Sequence, residues 1–216
     1  MQDREQFEAT AAVLRGDREL GDELQELGRW ISETFGTEVV NIIVDALHDT
    51  TPRVNVWLRS AAQARAFRND DDGGNYDRTK QTAVSRRYAQ AIPTGPRSSS
   101  DSEAFVVFRA FEPEARNRAI DLTPAELETL RDGLRSPALW RIMVAWGRVV
   151  FFVHTDAEAA AFREGPEFDR WTTAFRSAVR SRDEFDLVPR LPPVFELDSK
   201  ERFDRDFRSS SYYYFL

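Results

Sequence analysis

The chain has no cysteine, only two histidines and two lysines, and no apolar run of the roughly 18 residues that suggest a membrane span. Without cysteine, disulfides, thiolate metal sites and a cysteine nucleophile are excluded. The histidines, His48 and His154, show no His-x-x-x-His spacing, and a zinc site would need both together with carboxylates. Neither is expected to ligate or catalyse. The start Met1-Gln2-Asp3-Arg4-Glu5 lacks the basic head and apolar stretch of a signal peptide, so a cytoplasmic location and no membrane contact are expected. The basic residues are almost all arginine, a bias that points to a GC-rich bacterial genome.

Phosphate and nucleophile motifs are missing as well. The sequence contains no glycine-rich phosphate loop and no Gly-x-Ser-x-Gly elbow. Asp70-Asp71-Asp72-Gly73-Gly74-Asn75 invites a calcium reading, yet it puts Gly74 where the third ligand belongs and Asn75 where the loop needs glycine. An acidic surface turn explains it better, and no cofactor is expected.

What is present is core material and acid. Sixteen Phe, five Trp and five Tyr in 216 residues are enough to bury a sizeable core. The net charge is −7, and residues 1 to 36 alone hold nine acidic against four basic side chains. A globally acidic chain is a poor candidate for nucleic-acid binding and a better one for a basic protein partner.

One string occurs twice. Val56 to Arg68 (VWLRSAAQARAFR) is answered 95 positions on by Phe151 to Arg163 (FFVHTDAEAAAFR). Further along, Tyr76-Asp77-Arg78 is answered by Phe168-Asp169-Arg170, and Phe203-Asp204-Arg205 repeats the triplet again. Each copy sits in the order helix, hairpin, helix, helix, strand. In the first, Leu20, Leu24, Leu27, Trp30, Ile31 and Phe35 recur at helical spacing and predict an amphipathic helix over 17–35 with an acidic outer face. A hairpin follows, with strands over 38–46 and 54–59. In the second copy, Thr123-Pro124-Ala125-Glu126 opens a helix and a tighter hairpin turns at Gly147-Arg148. The next helix in each copy starts at a capping box, Ser60 with Gln63 and Thr155 with Glu158. Longer helices over 76–92 and 168–182 lead to extended runs at 105–108 and 194–197.

The expected fold is therefore α+β, a single domain of two related halves (17–110 and 123–216) whose helices pack a mainly antiparallel sheet. The halves are joined by the Pro/Ser-rich loop 93–102 and are expected to share that sheet. The aromatic end Tyr212-Tyr213-Tyr214-Phe215-Leu216 is expected to be a terminal strand.

Two functional expectations follow. The first is a non-catalytic protein-binding factor, a bacterial cytoplasmic inhibitor or immunity-like protein, that meets a basic partner through Asp17, Asp22, Glu23 and Glu26. The second is a nucleotide- or nucleic-acid-binding protein whose Arg78 and Arg170, equivalent in the repeat, hold an anion in a basic groove between the halves. An aspartate near a helix N-terminus accounts for the aromatic-Asp-Arg unit without any ligand.

Overall fold

The computed structural model describes residues 2–47, 51–69, 74–92 and 104–216. His48, the acidic run 70–73 and the loop 93–102 lie outside them. The chain divides into two compact units, Met1–Glu114 and Ala115–Leu216. The division falls after Glu114.

The first unit contains α1 (Gln2–Arg15), α2 (Asp22–Phe35), β1 (Val39–Leu47), β2 (Thr51–Leu58), α3 (Ala61–Arg65), α4 (Arg78–Ala91) and β3 (Phe105–Ala110), and α5 (Phe111–Ile120) crosses its boundary. The second continues with α6 (Pro124–Leu134), β4 (Leu139–Ala145), β5 (Arg148–Val153), α7 (Asp156–Phe162), α8 (Pro166–Val179), β6 (Val194–Ser199), α9 (Lys200–Phe207) and α10 (Ser211–Phe215). The fold is α+β. Among the described residues there are two three-stranded sheets, ordered β1-β2-β3 and β4-β5-β6, instead of one shared sheet. In each, a hairpin supplies the antiparallel pair and the third strand runs parallel to the central one. Helices carry the chain back between the second and third strands, and such a crossover is what lets the third strand return in the same direction.

The two sheets pair their first two strands with a similar irregularity. Leu58 pairs with Val39 just before a bulge, and Val153 pairs with Leu139 just before another. Both capping boxes form with their reciprocal bonds. The central strands are buried on both faces, so β5 reads as a continuous apolar run from Val149 to Val153, while β2 carries the buried Asn55 between Val54 and Val56. Val54, Val56 and Leu58 pack against Leu27 and Ile31 of α2 and Val84 of α4; Val149, Phe151 and Val153 pack against α8 through Trp171, Phe175 and Val179. Each fully buried side chain of this size contributes roughly 1.5–3 kcal/mol.

Three expectations change. The helix foreseen from residue 17 begins at Asp22, because Gly16 ends α1 at φ +82° and Gly21 provides the extended cap for α2. Helix α1 itself went unforeseen, since part of its inward face is polar: Gln6 and Thr10 are buried beside Phe7 and Ala11. The aromatic end is helical. A strand would bury alternate residues, whereas here the neighbours Tyr214 and Phe215 both go inward, against Phe152 and Phe203 among others, after the Ser210 hydroxyl caps the turn.

Candidate protein-binding groove

In each unit the first strand of the hairpin is an edge strand, and a groove runs along it between two helices. In the first unit the floor is Asn41–Asp45 of β1. One wall is α1, with Glu5, Ala9 and Val13, and the other is formed by Leu20, Gly21 and Leu24 at the start of α2; the groove holds about 490 Å³. Among the described residues no strand pairs with the outer side of β1.

The two faces of β1 differ. Toward α2, Ile42 and Val44 join the apolar cluster of Leu27 and Ile31. Toward α1 the contacts are polar. Gln6 Nε2 donates to Asp45 Oδ2 at 2.8 Å, and Asn41 Nδ2 donates to Thr10 Oγ1 at 3.0 Å. Arg53 on β2 grips the Asp45 carboxylate with two bonds, 2.8 Å from Nε and 2.7 Å from Nη2. Burial pushes the Asp45 carboxyl up, but Arg53, Asn55 and Gln6 together outweigh it and hold the pKa below its ordinary value. The Gln6 side chain lines the groove and is almost wholly buried, yet its Oε1 accepts no hydrogen bond.

The rim is mainly acidic. Glu5 and Glu19 line the groove directly, with Arg18 beside Glu19 as the one lining arginine. Asp17, Asp22 and Glu23 are exposed beside it in sequence, Asp17 bonded to Arg15 at 2.8 Å. The Glu23 carboxylate lies 3.8 Å from where a side chain on Gly21 would begin, which sets it at the α2 wall. Glu26, one helical turn on, pairs instead with Arg87 of α4 at 2.9 Å. None of the four acids expected to meet a partner lines the groove: Asp17, Asp22 and Glu23 adjoin its lining residues in sequence, and Glu26 is engaged elsewhere. Glu5 and Glu19 were missed because neither belongs to the helix whose acidic face drew attention.

The second unit repeats the arrangement with different chemistry. Its groove follows Trp140–Ala145 of β4, between Leu122, Leu127 and Arg131 on one side and Tyr212 and Phe215 of α10 on the other, and holds about 600 Å³. Trp146, at the hairpin tip, is 71% exposed, and its ring meets Phe215 edge-on at 6.1 Å. Its backbone is left-handed, φ +48°, followed by Gly147 at φ +81°. Such a two-residue turn suits the twist of a hairpin, but a tryptophan at its first position is strained.

The arginines of the anion reading sit one on each unit. Arg78 is exposed at the start of α4, where Asp77 caps the Thr79 and Lys80 amides. Arg170 Nη1 donates to the Leu134 carbonyl at the end of α6 (2.9 Å), and its Nη2 to Glu167 (2.7 Å). Arg182 is similarly engaged with Glu126 and the Asp121 carbonyl. These bonds give Arg170 and Arg182 structural work at helix ends. His154 is exposed just after β5, and its carbonyl accepts from the Glu201 amide. Among the described residues no group of three or more His, Asp or Glu side chains could hold a metal ion, and no helix is long and apolar enough to cross a membrane. No protein-family model, curated protein or solved structure matches the chain.

Proposed function

We propose that the protein is a non-catalytic binding factor that engages a basic protein, in the manner of a bacterial cytoplasmic inhibitor or immunity-like protein. One observation carries this reading: an apolar groove whose rim bears the carboxylates of Glu5 and Glu19, with Asp17, Asp22 and Glu23 beside it. Apolar walls supply the contact area for a partner, and the excess of carboxylates over the single lining cation, Arg18, favours a basic partner over an acidic one. Exposed carboxylates act mostly on the encounter rate, so association should slow as salt rises.

The test compares the wild-type chain with a D17K/D22K/E23K variant in capture from host extract. All three positions are exposed, so the variant should fold. The reading requires a basic protein that the wild type retains at low salt and the variant does not. Equal retention by both, or retention of acidic proteins or nucleotides alone, contradicts it.

A further inference from the structure

We infer that the partner is held by strand addition: an extended basic segment lies along the outer edge of β1 as a fourth strand, between α1 and α2. This rests on the basic-partner reading above and specifies how the same groove is occupied. Three independent observations converge on it.

The first is the edge itself. Among the described residues β1 ends its sheet, and Asn41–Val44 line a groove of about 490 Å³ along it. An uncovered edge is a pairing template, and proteins that do not use one usually blunt it.

The second is Gln6. Its Nε2 is fixed on Asp45, and its Oε1 is shut off from solvent and accepts no hydrogen bond, so a donor in the groove meets it once the side chain shifts toward the groove that Gln6 lines. A buried polar atom left unpaired costs about 1–3 kcal/mol, and a donor brought by a ligand would recover that. A strand laid beside β1 carries such donors along its length.

The third is the difference between the walls. Successive side chains of a strand point to opposite faces. On an added strand one set would meet Leu20 and Leu24, and the other would point toward α1 and Glu5. The occupant is therefore a segment about as long as Asn41–Asp45, apolar and basic residues alternating. An acidic segment would meet the rim with like charge, and an amphipathic helix would leave the β1 edge unpaired.

The experiment pans a random peptide display library against the full chain and measures binding of the strongest selected peptide. Two backbone N-methylated versions of it are then made, methylated at the odd or at the even positions. In a strand, alternate amides point to opposite sides, so one version loses its ladder to β1 and the other keeps it. Selected sequences should alternate basic and apolar residues, and one methylated version should bind at least tenfold more weakly while the other binds within about twofold of the parent.

Amide exchange at Asn41–Val44 should slow on binding. If both methylated versions bind like the parent and D17K/D22K/E23K still weakens it, strand addition is wrong and the basic-partner reading stands. If both weaken equally, strand addition is likewise wrong. If no basic sequences are enriched, both readings fall.

Discussion

Gln6 on α1 and Asp45 on β1 are joined by a 2.8 Å hydrogen bond that ties the first helix of the chain to the edge of its sheet. The bond fixes one wall of the groove to its floor, and Arg53 completes it by pairing with the same carboxylate. Asp45 and Arg53 are each only 17% exposed, so their pair is shielded from solvent far more than the ion pairs at the surface.

Asp45→Asn should therefore destabilise the protein by roughly 2 kcal/mol at pH 7, the usual worth of hydrogen bonds to a charged group. The folded-state pKa of Asp45 is lowered, so its contribution is fully present above the unfolded carboxyl value, about 3.9, and disappears as pH falls through the folded value. Urea unfolding should show the gap between wild type and variant at pH 5 to 7, and the gap closing below about pH 4.

The Trp146-Gly147 turn makes opposite predictions for its two residues. Trp146→Asn places a residue that tolerates φ +48° where tryptophan is strained, and should leave stability unchanged or raise it by up to about 1 kcal/mol. Gly147→Ala should destabilise by at least about 1 kcal/mol, because φ is +81° and a Cβ would come within 2.5 Å of Arg116 Nη1. Thermal unfolding of the two variants checks both.

Tyr214 donates its hydroxyl to the buried Asp198 at 2.8 Å, and burial followed by that carboxylate pushes the phenol well above its ordinary pKa. It should stay un-ionised through pH 11, readable by ultraviolet titration. Tyr214→Phe removes one donor from Asp198, which keeps Arg202 and the Ser199 amide, and should cost about 1–2 kcal/mol.

Arg170 pairs with Glu167 at an exposed site and also donates to the Leu134 carbonyl, so Arg170→Ala should cost about 1–2 kcal/mol, mostly from the carbonyl bond. A double variant R78A/R170A should bind the selected basic peptide as the wild type does. Loss of phosphate or nucleotide affinity in that variant, measured by calorimetry against inorganic phosphate and ATP, would instead favour the anion reading.

Much of the scaffold was legible because its signals are local. Ser60 with Gln63 and Thr155 with Glu158 announce their helices within four residues, and Val149 to Val153 can only be a buried strand or its equivalent. What was not legible depends on partners distant in sequence. Helix α1 hides its role because Gln6 and Thr10 look like surface residues until Asp45 and Asn41 come to meet them from 39 and 31 positions away. The groove was half visible: Asp17, Asp22 and Glu23 were read from charge, but that β1 ends its sheet follows only from the topology. The aromatic end misled because strand and helix propensities overlap for tyrosine, and packing on Phe152 and Phe203 decided between them.

The affinity of the selected basic peptide for wild type and for D17K/D22K/E23K, each at 50 and 300 mM salt, tests the central claim most directly. The account predicts at least a tenfold loss from charge reversal at low salt, and a loss with salt for the wild type that the variant does not share. Equal affinity for the two proteins, or tighter binding by the reversed one, would contradict it.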